Sequence, residues 1–251
     1  MAAKSGIEGY VPGTYARRRP GSEELISHYV RMWEGRRLTQ AEADRTDRTQ
    51  PELPPCIAFS RKIGVGALEI ADLTAQQLEY RVADRELIEQ IASQANISQQ
   101  ATAYFDERFP GYVNRTFKYL FGEKSFIDSD YSRHLISAVI AIAGAEPTVF
   151  VGRGAHLILP RERVLAVRCI GSEDYRAKRI ADIMHVGQDE AKKKLADVDK
   201  QQAAFFKKVY GKKEASPYEF DMVVNLDFLT NPGDVADIVV LAFRKKFKLN
   251  P

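Results

Sequence analysis

Short apolar segments alternating with amphipathic ones predict an α/β fold whose parallel sheet is covered by helices on both faces. Two observations carry that expectation. CIAFS at 56–60, TVFVGRG at 148–154 and RVLAVRCIG at 163–171 are near-continuous apolar runs, as in strands buried on both faces. The first run passes through a glycine turn, IGVGA, into the helical pattern GALEIADLTAQQL, which is the layout of a phosphate-cradling loop.

The elements follow in order. Residues 1–54 carry Gly/Pro punctuation, the run Arg17-Arg18-Arg19 and PELPP at 51–55, and read as an N-terminal extension. Within it SEELISHYVRMWEG spaces Ile26, Tyr29, Val30 and Trp33 on one helical face, suited to docking on the main domain; a basic arm for a partner is the alternative. Strands are expected near 56–60, 79–83, 147–152, 164–170 and 222–227. RELIEQIASQA is a helix, and 98–128 reads as helical and irregular, rich in aromatics. DSDYSRHLISAVIAIAGA is a helix capped by Ser129 or Asp130, and SEDYRAKRIADIM one capped by Ser172. QDEAKKKLADVDKQQAAFFKKVYG is a long charged helix or helix pair, and NPGDVADIVVLAFRKKF is the last helix.

Composition narrows the function classes. The 251 residues are 45% hydrophobic and 28% charged, ordinary for a globular protein. A net charge of +3 argues for neither nucleic acid nor membrane as partner. Cys56 and Cys169 lie in apolar runs without C-x-x-C spacing, and the four histidines lack metal-ligand spacing, so no metal site is expected. LISAVIAIAGA at 135–145 is too short to span a bilayer, and the N-terminus has no signal-peptide core. The expected location is the cytoplasm.

Four places bear on chemistry. A helix after CIAFS leaves the amides of Ile63, Gly64, Val65, Gly66, Ala67 and Leu68 free at its positive end, with Ser60, Arg61 and Lys62 leading in. No Gly-Lys-Ser/Thr follows, so the charge must come from Arg61 or Lys62; an ordinary structural turn is the alternative. Asp84 and Arg85 stand at the carboxyl end of a strand, where open α/β sheets bind ligands, although Asp84 equally suits a helix cap. Arg153 sits between two glycines after an apolar strand, a fork suited to phosphate or carboxylate, or else paired to a structural acid. Residues 176–213 hold eleven Lys or Arg against five acids, enough to close over a polyphosphate or simply to form a solvated face.

Together these segments resemble the cytidylate kinase-like family, a branch of the nucleoside monophosphate kinases, from about Cys56 to the C-terminus. Ser60-Arg61 followed two residues later by Gly64-Val65-Gly66-Ala67 parallels the family's Ser-Arg and Gly-Ser-Gly-Gly loop. Asp84-Arg85-Glu86-Leu87-Ile88, Val151-Gly152-Arg153-Gly154-Ala155, the lid-like Asp197–Phe206 stretch, Tyr210-Gly211 and Asn225-Leu226-Asp227 follow in the family's order. Val65 and Ala67 depart from the loop pattern, and Gln201 and Gln202 replace an acid and an arginine of the lid.

The resemblance implies a three-layer P-loop kinase-like fold, with about five parallel strands flanked by helices, a helical lid at 185–213 and an acceptor-side insertion at 98–128. The kinase-like domain would span 55–251. It implies ATP as phosphoryl donor, with Mg2+ brought by the nucleotide, and a small acceptor such as a nucleoside monophosphate. Residues 60–68 would hold the donor phosphates; Asp84, Arg85 and Arg153 would orient the acceptor. Arg153, Arg176, Arg179 and Lys200 would close over the transferred group. Homodimer formation is left open. A second reading, favoured by Val65, Ala67, Gln201 and Gln202, is a non-catalytic nucleotide sensor or scaffold that keeps the fold. A dinucleotide-binding oxidoreductase fits poorly, because Glu69 stands where a third glycine belongs.

Overall fold

The computed structural model describes residues 10–15, 22–43, 53–108 and 130–249. A five-stranded, wholly parallel sheet lies at its centre, in the spatial order β2-β3-β1-β4-β5. Its strands are β1 (Cys56–Arg61), β2 (Arg81–Ala83), β3 (Thr148–Val151), β4 (Val164–Ile170) and β5 (Met222–Asn225). The sheet is built outward from β1, with Phe59 paired to Val151 on one side and Val167 on the other. Every residue of β1 and β3 is buried, which is why these segments read as unbroken apolar runs.

The nine α-helices of the described residues cover the sheet. Helices α2 (Ala67–Leu78) and α9 (Pro232–Phe247) lie on one face, where Ile70, Val235, Val239 and Phe243 meet Ile57, Phe59, Val149 and Val167. The opposite face carries α1 (Ser22–Ala43), α3 (Arg85–Ser93), α4 (Ala95–Arg108) and α5 (Asp130–Ala145). Helix α5 buries residues on all sides, since it lies between the sheet and α3 and α4; this is the reason for its apolar sequence. No helix of the described residues is long and apolar enough to cross a membrane.

The expected docking helix is α1. Its Ile26, Tyr29 and Trp33 are buried against the α3–α5 layer, and the Trp33 indole N–H donates to the Ala141 carbonyl at 3.4 Å. Residues 109–129, most of the expected insertion together with the Ser129 cap, lie outside the described residues. After β3 comes the single turn α6 (Ala155–Ile158), and after β4 the hairpin of α7 (Glu173–Met184) and α8 (Gln188–Tyr210). Ser172 caps α7 by accepting from the Tyr175 amide at 3.2 Å, as its sequence position suggests. The expected lid is therefore one continuous helix of 23 residues, not a pair. Its Ala191 and Leu195 pack with Ala177 and Ile180 of α7 around Ile63 of the glycine turn.

One buried titratable group elsewhere in the fold, on α6, makes stability sensitive to acid. His156 is 3% exposed and its Nε2 lies 3.5 Å from Glu219, which also accepts from Lys212 Nζ at 2.7 Å. Burial pushes the imidazole below its usual 6.5, while the His156 and Lys212 contacts hold the Glu219 carboxyl at about 2. Both pKa values are depressed by folding, so both contributions are present at neutral pH and lost on acidification. The His156 share starts to fade below 6.5 and the Glu219 share below 4.5. The melting temperature is expected to fall between about pH 7 and 5, and His156→Gln to flatten that interval. An unchanged slope in the variant would assign the acid sensitivity to other groups.

Candidate functional site

The glycine turn leaves β1 through two left-handed residues, Gly64 (φ 91°) and Gly66 (φ 83°), the second being the cap residue of α2. A side chain at either position would be strained by the left-handed backbone and crowded by its neighbours. A Cβ on Gly64 would stand 3.3 Å from the Arg176 carbonyl oxygen, and one on Gly66 would stand 3.1 Å from the Arg179 guanidinium. Gly66 has no side chain to cap the helix, so the first-turn amides stay open. None of the amides from Ile63 to Leu68 donates to another group among the described residues, whereas Lys62 N is taken by Cys169 O at 3.0 Å. A row of unpaired N–H groups at the positive end of a helix is an anion site.

Residues 10–15 lie across the mouth of this turn. Arg61 Nη2 donates to the Gly13 carbonyl at 2.7 Å, the Tyr15 hydroxyl to Asp72 at 3.0 Å, and Gly13 packs on Ile63. Arg179 is held over Gly66 by Glu69 at 2.7 Å. The space left at the turn is about 50 Å3, far below the roughly 300–1,000 Å3 of small-molecule sites.

A second cavity, of about 160 Å3, opens on the other side of Arg61. Arg61, Arg85 and Arg153 line it together with Gln201, Gln202 and Phe205. Its geometry depends on an unusual turn at the end of β3, where Gly152, Arg153 and Gly154 all have positive φ, at 91°, 49° and 69°. A non-glycine residue in the left-handed region costs about 1–2 kcal/mol, strain that concentrates at functional sites. The flanking glycines are required by contact as well. A Cβ on Gly152 would come within 2.8 Å of Arg61 Nη1, and one on Gly154 within 2.6 Å of the Tyr210 ring. Tyr210 fixes the turn by donating to the Arg153 carbonyl at 2.5 Å.

The turn aims Arg153 across the Phe205 ring at 4.0 Å and onto Glu89, which also pairs with Arg85 at 3.4 Å. The structural pairing weighed for Arg153 is thus present, yet its Nε is buried with no partner. Burial and the Arg85 guanidinium depress the Arg153 pKa; for Arg61 the same two causes lower it to about 10. Arg85 and Arg153 share the Glu89 carboxylate and Arg61 adds a third guanidinium, a positive excess suited to a dianionic group.

Other site residues differ from expectation. Asp84 does not line the cavity; its Oδ1 accepts from the Leu87 amide at 2.9 Å and caps α3, because it immediately precedes that helix. Arg176 is buried and occupied, its Nη1 donating to Asp199 at 2.8 Å and to the Ile63 carbonyl at 3.1 Å, so it braces the glycine turn. Lys200 is exposed on α8 and lines neither cavity, since the helix turns Asp199 and Gln202 inward instead. Lys62 likewise turns away from the loop cavity, while Ser60 accepts from Arg168 Nη1 at 2.6 Å below it. Gln202 faces the site and its Nε2 donates to the Arg61 carbonyl at 3.2 Å. Among the described residues no group of three or more His, Cys, Asp or Glu side chains is placed to hold a metal.

The sheet order, the glycine turn opening α2 and the arginine-lined cavity beside it define a P-loop kinase-like protein with a nucleotide-binding type of fold. The chain belongs to the cytidylate kinase-like family, whose model matches residues 56–227. Among solved structures it is similar to an uncharacterized protein from Eubacterium ventriosum, at TM-score 0.59 and 17% identity over 76% of this chain and 98% of that one. A shikimate kinase from Bacteroides thetaiotaomicron matches at TM-score 0.39 and 15% identity, over 78% and 99% of the two chains. A gluconokinase from Sinorhizobium meliloti matches at TM-score 0.43 and 12% identity, over 79% and 96%. No curated protein matches the chain.

Proposed function

We propose that the protein is an ATP-dependent phosphotransferase acting on a small phosphorylated acceptor such as a nucleoside monophosphate. The observation that carries this reading is Arg61, which lines both the loop cavity and the arginine-rich cavity. A donor phosphate on the open amides of 63–68 and an acceptor anion on Arg85 and Arg153 would meet at this one guanidinium. Phosphoryl transfer is chiefly positioning and charge neutralisation, which is what these groups supply.

The residues fit a nucleotide's phosphates, because six unpaired amides present a ready anion site. They fit Mg2+ less closely, since Ala67 offers no hydroxyl and Glu69, Asp72 and Asp227 are engaged by Arg179, Tyr15 and Ser172. The metal would come with the nucleotide and neutralise its phosphate charge. Arg61 holds the space between donor and acceptor, Arg153 and Arg85 orient the acceptor, and Arg176 with Asp199 keeps the turn in place. Cytoplasmic localisation is part of the same reading, as is an N-terminal extension ending before a kinase-like domain at 55–251.

The sensor reading has its own support. Arg176 and Arg179 are committed to Asp199 and Glu69, and Gln202 stands where the lid would offer an arginine. A thermal-shift screen across nucleotides with and without Mg2+, followed by a transfer assay on the hits, separates the two. Nucleotide stabilisation with transfer supports the enzyme, and stabilisation without transfer supports the sensor. No stabilisation by any nucleotide would remove both.

A further inference from the structure

A third cavity, of about 550 Å3, lies between α8, the segment 213–220 and the outer strands β4 and β5. It shares only Gln202 and Phe206 with the arginine-lined cavity and nothing with the loop cavity. Its volume falls within the usual range for small-molecule sites, about 300–1,000 Å3.

Its lining combines unpaired cations with an apolar wall. Arg168 lies in the middle of β4, in register with Ser60 on one side and Val223 on the other. Its Nη1 donates to Ser60 Oγ at 2.6 Å and its guanidinium stands 5.8 Å from the Phe220 ring, with no carboxylate partner among the described residues. Glu219 and Asp199 act on it only from beyond ion-pair distance, and a largely buried charge without a direct counter-ion is costly and normally paired. Lys62 and Lys213 also line the cavity without an ion pair among the described residues. Of the two acids there, Asp199 is consumed by Arg176 at 2.8 Å, which leaves Glu214. Val223, on the edge strand β5, is 48% exposed and lines the cavity.

We propose that this cavity is a second ligand site, for a small anion with a ring-sized apolar body. The acid group would sit on Arg168, Lys62 and Lys213, and the body against Phe206, Phe220 and Val223. Guanidinium and ammonium groups meet carboxylates and phosphates alike, and the phenylalanine rings suit an aromatic or flat aliphatic body. The proposal stands apart from the phosphotransferase reading, since it uses neither the open amides nor Arg61, Arg85 or Arg153.

Fluorescence titration of the full chain with 1-naphthoate and 1-naphthyl phosphate tests it, with 1-naphthalenemethanol as the neutral control. At least one acid is expected to bind saturably at one site per chain, at least about tenfold tighter than the alcohol, as a charge-assisted contact requires. The tighter of the two acids shows whether the site favours carboxylate or phosphate. Arg168→Met should weaken binding at least about tenfold, and Val223→Phe, which fills the cavity and keeps its charges, should abolish it. Arg153→Gln should leave it unchanged. Binding that does not saturate, that survives both cavity variants, or that is lost in Arg153→Gln would overturn the proposal. Melting curves check that each variant folds, and where Arg168→Met does not, Val223→Phe decides.

Discussion

Arg61→Gln is expected to lower ATP affinity about tenfold to a hundredfold, the value of one lost charge-assisted contact. It should lower phosphoryl transfer by a further factor of about 10²–10³, the usual cost of removing a preorganised charge from a transferring group. Both effects follow from the place of this guanidinium, between the open amides of the turn and the cavity of Arg85 and Arg153. Lys62, its neighbour in sequence, turns toward the third cavity. Lys62→Gln should therefore change affinity and rate by less than about threefold, a surface-scale effect. Equal losses in the two variants would show that bulk positive charge near the loop, not the position of Arg61, governs binding.

Removing residues 1–15 is expected to tighten nucleotide binding by about ten- to thirtyfold. Among the described residues of the segment, Gly13 accepts from Arg61 and Tyr15 donates to Asp72, bonds worth roughly 0.5–1.5 kcal/mol each. A nucleotide must displace these contacts to reach the amides, so their removal returns that energy to binding. Tyr15→Phe, which loses one bond and keeps the ring, should give a few-fold part of the effect. Calorimetric titration of the three proteins checks the series. Weaker binding by the shortened chain would mean that residues 10–15 help to form the site instead of covering it.

Much of the fold was legible because β1, β3 and most of β4 are buried. CIAFS and RVLAVRCIG had no polar face to blur their ends, and β1 and β4 begin and end within a residue of expectation. The edge strand β2 came out shorter than expected, Arg81–Ala83, because Glu79 and Tyr80 still close the preceding helix through their amides. The glycine turn was legible from its two glycines. The setting of Arg153 was half legible, since the flanking glycines were visible but the strained φ and the approach of Tyr210 were not. Asp84 was ambiguous from the start, and the helix that follows it claimed its carboxylate. Lys200 was misplaced because a charged helix does not reveal which of its faces turns inward; Asp199 and Gln202 took that face. Two features left no sequence trace. The segment 10–15 carries only the Gly/Pro punctuation of any extension, and Arg168 lay hidden in an apolar strand run.

The most direct measurement compares initial rates of transfer from ATP, and nucleotide affinities, between the parent chain and Gln202→Arg across a panel of nucleoside monophosphates. Gln202 lines the arginine-rich cavity and touches the Arg61 carbonyl, but an amide offers no bidentate charge to a transferring phosphoryl group. The account predicts measurable ATP binding and slow transfer by the parent. In the variant, turnover should rise more than about tenfold while affinity changes less than about threefold, since the added group acts mainly in the transition state. Absence of nucleotide binding in both proteins, or binding without transfer in either, would contradict it.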